Sequence, residues 1–426
     1  MRWIHILLVA VLLLPSVLGC TTSSPVPAAA SMVRAETSRE LAPTAPDEDV
    51  DVVADGVNAF GLDLYRALAE EEGGNLFLSP YSIALALAMT YAGAEGQTAQ
   101  EMAEVLHLTL PDARVHAAMN ALDLALHAGE DREMDSYDPP IFRSANALWG
   151  QQGLGFEEAF LETLAANYGA GMRVLDFAES EEARQIINAW VEEQTEDRIQ
   201  DLIKPGVLDA LTRLVLTNAV YFKAQWQYQF SEGATADGPF YLPDGSAVTV
   251  PMMRQTERLG YYAEDGLQVL ELHYMGGTHS MLILLPEQGE LDALAAGLDE
   301  ARLRELVAQV ERQTVALTMP RFEYEAEFSL GEMLQELGMP TAFGEGADFS
   351  GMTTEADLFI SEVVHKAWVA VDEEGTEAAA ATAVVMAESA MPMEPVEVTV
   401  DHPFLFAIRH RGTGTLLFLG QVVDPS

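Results

Sequence analysis

The residue types that could do covalent chemistry are present in this chain but unassembled. Its 426 residues include nine histidines and one cysteine. They contain no Gly-x-Ser-x-Gly elbow, no His-Glu-x-x-His, no Gly-x-x-x-x-Gly-Lys and no Rossmann glycine fingerprint. A single cysteine excludes an internal disulfide and a Cys-based metal centre, and neither a metal, a cofactor nor enzymatic activity is expected. The stretch with the most mechanical meaning is Glu374 to Ala387, EGTEAAAATAVVMA. After Gly375, its one φ-permissive residue, an extended chain puts Thr376, Ala378, Ala380, Thr382 and Val384 on one face. Glu377, Ala379, Ala381 and Ala383 lie on the other. Nothing on the first face is larger than Val.

Side-chain size matters because ordering a residue costs about 1–2 kcal/mol of backbone entropy, to which Lys, Glu or Met adds up to roughly 1.5–2 kcal/mol and Ala almost none. Each new sheet hydrogen bond returns on the order of 1 kcal/mol. Small side chains can therefore decide the sign of strand insertion. Alanine is also the best helix former, and Glu373, Glu374 and Glu377 suit a helix N-terminus. The stretch alone leaves helix and strand both open.

The elements around it read as helices first and strands later. Apolar periodicity predicts helices over Val57–Glu72, Ser82–Ala92, Thr98–Leu106 and Glu181–Thr195. Strand-like runs follow at Leu214–Phe222, Gln268–Tyr274, Met281–Leu285, Thr314–Met319, Leu358–Val371 and Leu416–Val423. That order suggests a mixed α+β domain rather than a doubly wound sheet.

Six motifs in order carry a resemblance to the serpins, the serine protease inhibitor superfamily. They are Asn75–Ile83 (NLFLSPYSI), Thr217–Lys223 (TNAVYFK) with Trp226, Phe349–Met352 (FSGM), His365-Lys366-Ala367, the hinge just described, and His402-Pro403-Phe404 with Phe418–Val423 (FLGQVV). The resemblance runs from about Val52 to Pro425. It implies an α+β serpin fold, with a helix-rich first half around a large mixed or antiparallel central sheet and an exposed reactive-centre loop. It also implies a suicide substrate: a protease attacks the loop, forms an acyl-enzyme, and the freed hinge inserts into the sheet before water can attack.

The resemblance assigns residues as well. Gly375, Thr376, Glu377, Ala378, Ala379, Ala380, Ala381, Thr382 and Ala383 form the hinge. Antithrombin-like loops with the same hinge-to-Pro-Phe length put the scissile residue fourteen after the hinge glycine, here Ser389, followed by Ala390. Register slips would make it Glu388 or Met391. A small residue suits elastase- and subtilisin-like pockets, and no Lys or Arg between Glu374 and Ala407 offers a trypsin-like pocket its cation. Ser79, Pro80, Ser82, Asn218 and His365 match the family's shutter under the middle of the sheet. Trp226 matches its breach tryptophan, where Arg321 could pair with Glu373 in the place of the family's Lys and Glu. The expected partners are serine proteases, with cysteine proteases open as targets, and the expected state is a monomer. The rival reading is a non-inhibitory serpin acting as a surface binding protein.

The termini and the charge frame this domain. Arg2, an apolar run from Trp3 to Leu14 and Val17-Leu18-Gly19-Cys20 look like a bacterial lipoprotein signal. About 12 apolar residues are short for a membrane span, which needs roughly 20. Residues 1–19 are read as signal peptide, 20–51 as a flexible tether on lipidated Cys20, and 52–426 as the domain. Thirty flexible residues reach roughly 30 Å. The expected location is the bacterial cell envelope, outside the membrane. The charge is 22 basic against 67 acidic residues, a net of −45, so nucleic acid and anionic lipid headgroups are poor partners. Ala121–Asp138, where some serpins carry a heparin-binding basic helix, holds only Arg132 among its acids, and no heparin binding is expected.

Overall fold

Ser79 and Pro80 start the helix on which the sheets rest. The Ser79 hydroxyl accepts from the Ser82 N–H, and Pro80 occupies the first helical position, where its missing N–H costs nothing. The helix that follows is buried almost all round, which is why its sequence shows no polar stripe.

The computed structural model describes residues 30–128, 139–376 and 394–426. Among them the chain forms nine α-helices: α1 (Asp47–Glu72), α2 (Pro80–Tyr91), α3 (Gly96–Val105), α4 (Asp112–Leu126), α5 (Glu158–Thr163), α6 (Ser180–Gln194), α7 (Leu291–Gly297), α8 (Glu300–Gln309) and α9 (Gly331–Glu336). It forms sixteen strands: β1 (Ser31–Val33), β2 (Leu76–Leu78), β3 (Ile141–Gln151), β4 (Met172–Leu175), β5 (Leu214–Gln225), β6 (Ala236–Tyr241), β7 (Ala247–Glu264), β8 (Leu267–His273), β9 (His279–Leu285), β10 (Glu311–Pro320), β11 (Phe322–Ser329), β12 (Glu362–Val371), β13 (Gly375–Thr376), β14 (Val396–Thr399), β15 (Phe404–His410) and β16 (Leu416–Val422). This is the mixed α+β architecture that the sequence predicts.

Two sheets organise these elements. One has seven strands in the order β1-β4-β3-β5-β13-β12-β11, and the other runs β14-β10-β7-β8-β9-β15-β16-β2 with β6 beside β7. The main core holds α1, α2 and the second sheet against one face of the seven-stranded sheet. On the opposite face Ala145, Trp149, Val215 and Ala219 meet Ile187 and Val191 of α6. Because β5 is covered on both faces, Leu214–Phe222 is buried at every position and does not alternate apolar with polar, its only polar residues being Thr217 and Asn218. No helix among the described residues is long and apolar enough to cross a membrane.

Three boundaries differ from the sequence reading. The expected strand from Leu358 begins at Glu362. Strands β3 and β7 were not anticipated; β7 contains Pro251, which pairs with Asp237 of β6, and Gly260, which lies within ten consecutive pairs with β10, and this pairing overrides both breakers. The tether expected over residues 20–51 is not free along its second half. Ser31–Val33 is an edge strand on β4, and Asp47–Asp51 is the first turn of α1, where buried Asp49 takes the Arg114 guanidinium at 2.8 Å. Three acidic residues in that first turn suit the positive end of the helix.

Candidate functional site: shutter, breach and hinge

The polar cluster under the sheet is a row across three strands. In register, Asn146 of β3 faces Asn218 of β5, and Asn218 faces His365 of β12. The Asn218 amide donates to Asn146 Oδ1 at 2.6 Å and to the Ser82 hydroxyl at 2.7 Å. The Ser79 N–H donates to His365 Nε2 at 3.2 Å. That leaves the proton on Nδ1, which donates to Asn218 Oδ1. Ser79 itself donates to the Leu417 carbonyl at 2.6 Å, and Ser82 meets the Ser144 hydroxyl at 2.9 Å. Burial pushes the imidazole down to about 3, so it is neutral at physiological pH.

One seam crosses this arrangement between parallel strands. Strands β5 and β12 pair in parallel from Val215 to Val220 and from Glu362 to Ala367, and the His365–Asn218 bond is the side-chain tie across that seam. Parting the strands orphans both groups at about 1–3 kcal/mol each unless something replaces the partner.

Above the seam the strands are already apart. Gly375 and Thr376 sit between them, antiparallel to both: Gly375 faces Gln225, and Thr376 faces Ala224 on one side and Val371 on the other. A Cβ on Gly375 would lie 2.0 Å from the Ala224 carbonyl oxygen, so only glycine fits this close approach. Asp372 makes the preceding turn, accepting from the Glu374 and Gly375 amides at 2.9 and 3.1 Å. Thr376 is buried and its hydroxyl meets that of Tyr274 at 2.7 Å.

Trp226 closes the top. Its indole N–H donates to the Asp372 carbonyl at 2.9 Å, its amide to the Glu374 carbonyl at 2.9 Å, and its ring stacks on Tyr274 with centroids 4.6 Å apart. Arg321 and Glu373 do pair, the guanidinium Nε donating at 2.8 Å, and Thr235 donates to the other carboxylate oxygen at 2.5 Å. Burial works to raise the Glu373 carboxyl, but these hydrogen bonds outweigh it and hold the group below its usual range. Its neighbour differs. Burial, then the charges of Asp372, Glu232 and Glu373, raise Glu374, one of whose oxygens is buried without a partner.

The structure thus brings Ser79, Pro80, Ser82, Asn218 and His365 to one place, and Trp226, Arg321, Glu373, Gly375 and Thr376 to another. Asn146, Ser144 and Tyr274 join them without having been singled out by sequence. The signal for the first two is small polar residues on the same face of β3 as buried Phe142 and Leu148. Glu377–Ala383, Glu388, Ser389, Ala390, Met391 and Cys20 lie outside the described residues. Among the described residues no group of three or more His, Cys, Asp or Glu could hold a metal ion.

Comparison with known proteins agrees with this geometry. The family Serpin (serine protease inhibitor) matches residues 55–425. The leukocyte elastase inhibitor of Sus scrofa is 43% identical over 378 residues, covering 86% of this chain and 97% of its own. An uncharacterized serpin-like protein of Thermococcus kodakarensis is 42% identical over 377 residues, 88% of this chain and 86% of its own. Among solved structures, Serpin48 of the insect Tenebrio molitor superposes with a TM-score of 0.77 at 32% identity, covering 88% of this chain and 98% of its own. Human thyroxine-binding globulin complexed with its hormone gives 0.79 at 30%, covering 89% and 100%. With a family match over most of its length and relatives 42% and 43% identical across most of both chains, the chain belongs to the serpin family.

Proposed function

We propose that this serpin is a suicide-substrate inhibitor of extracellular serine proteases with elastase- or subtilisin-like pockets. The protease serine attacks the Ser389 carbonyl, the Ala390 amine leaves, and the acyl-enzyme is trapped as the hinge enters the sheet between β5 and β12. The relatives named leukocyte elastase inhibitor support the target class.

The observation that carries this reading is the register of β13. Thr376 faces Ala224 and Val371 at once. Extended along the same register, Thr382 would come opposite Asn218 and His365, six residues further along each strand. A hydroxyl would then arrive between the two side chains that insertion separates, and the residues before it on that face are alanines. Anchoring through a lipidated Cys20 at the bacterial cell envelope belongs to the same reading, and mass analysis of the mature N-terminus tests it.

The experiment is incubation with elastase, subtilisin and trypsin, followed by denaturing electrophoresis. A covalent complex with either of the first two, and a new N-terminus at Ala390, is expected. Cleavage by all three with no complex would sink the proposal in favour of the surface binding protein. Thyroxine-binding globulin, solved with its hormone, is an example of this fold holding a small molecule.

A further inference from the structure

The segment expected to be a free tether is built into the body, and the body is shaped to receive it. Strand β1 pairs antiparallel with the outer edge of β4, Val33 facing Met172. A Cβ on Gly171 would lie 2.7 Å from the Val33 carbonyl oxygen, and one on Gly169 3.1 Å from the Arg39 side chain. Further on, Arg39 donates to Asn120 Oδ1 at 2.9 Å and to Asp123 Oδ2 at 2.5 Å on α4. The fully buried Asn120 returns a hydrogen bond to the Glu40 carbonyl at 2.7 Å, and the Glu40 amide reaches the Ala166 carbonyl at 2.9 Å. The second oxygen of Asp123 accepts from the Tyr81 hydroxyl. Tyr81 is the residue of α2 between Pro80 and Ser82, at the shutter.

Residues 31–40 therefore tie the edge of the seven-stranded sheet to the helices packed beneath it. Strand β4 belongs with β3 and β5 to the half-sheet on one side of the seam, whereas α4 and α2 lie in the helical layer beneath it. Because α2 packs against β3 and β5, moving that half-sheet away from β12 would shift it over these helices. We propose that this strap is a brake on sheet opening and that Arg39 is its positioning residue, holding the sheet closed until cleavage frees the loop. The proposal rests on the insertion reading above, so its test uses no protease.

The full chain is incubated with a synthetic peptide of residues 376–389, and uptake is followed by native electrophoresis. Arg39→Ala, and Gly171→Val, whose added side chain displaces β1, should each take up peptide about tenfold faster, the effect of losing one charge-assisted hydrogen bond. Arg39→Lys should fall between. Uptake at the unmodified rate in both variants, with hydrogen exchange showing β1 released, overturns the brake, as does a lowered melting temperature without faster uptake. In the unmodified chain, amide exchange along β1 should rise as peptide enters; exchange there that ignores uptake overturns the proposal equally. If the unmodified chain and every variant refuse peptide while protease is still trapped, the brake fails and the inhibitory reading stands. If neither occurs, the insertion reading fails first.

Discussion

At the scale of single residues, the shutter works because each buried group has a partner and the partners are shared. Asn218 donates to both Ser82 and Asn146, so Asn218→Ala and Asn146→Ala remove overlapping bonds. Each should destabilise the native state by about 1–3 kcal/mol, the cost of leaving buried polar groups unpaired. Because they share the bond, the double variant should lose measurably less than the two single losses added together. Denaturant midpoints of the four chains test this, and strict additivity would show that Asn146 is outside the network. Thr376 gives the complementary prediction. It is buried against Tyr274, so Thr376→Arg forces a guanidinium into the seam, where burial of an unpaired ion costs several kcal/mol. The variant should be cleaved and turned over by elastase with no covalent complex, while circular dichroism shows the fold retained.

At the scale of elements, what the sequence revealed and what it hid have separate physical causes. Leu214–Phe222 was legible as a strand because both its faces are covered, which makes it apolar on both faces except at Thr217 and Asn218. Ser79-Pro80 announced a helix start through capping chemistry that is local to four residues. Strand β3 was not legible, because Ser144 and Asn146 interrupt its inner face with the polar groups the shutter needs. The strap failed for a different reason. Its Pro, Ser and Thr content reads as linker, and the glycines that receive it, Gly169 and Gly171, lie about 140 residues away. The hinge stood between these cases: alanines leave helix and strand open, and only pairing of Gly375 and Thr376 with β5 and β12 favours the strand. From that register follows an element-scale prediction. Thr382→Val keeps shape and β propensity but brings no hydroxyl to Asn218 and His365, so insertion should slow by about tenfold for one lost hydrogen bond. The ratio of trapped to turned-over protease reads this directly, and an unchanged ratio would mean that Thr382 does not reach the shutter.

At the scale of the whole molecule, the buried histidines set how the native state responds to acid. Burial pushes His116 down to about 4 and His279 and His365 down to about 3; it lowers His410 as well, and the nearby His410 and His127 add to the fall at His279. His116, His279 and His365 are neutral in the folded chain at pH 6, whereas an unfolded chain titrates near 6.5. Below that value the unfolded state binds more protons, so stability is greatest above about pH 6.5 and is lost as pH falls towards 3–4. Each group contributes a slope of at most about 1.4 kcal/mol per pH unit. The carboxylates held below their usual range, Glu373 and Glu101 among them, add loss of the same sign only below about pH 4.5. Glu374 and Glu257, raised chiefly by burial, take up protons in the folded chain while the unfolded chain is still ionised, so they oppose the loss above about pH 4.5. Between pH 6.5 and 5 the lowered histidines therefore drive the loss of stability, and the raised Glu374 and Glu257 oppose it. Melting temperature of the intact chain should fall steadily across that interval, and His279→Phe, which removes a buried ring with an unpartnered Nε2, should flatten the fall. A melting temperature independent of pH from 7 to 5 would mean that water reaches these rings in the folded chain.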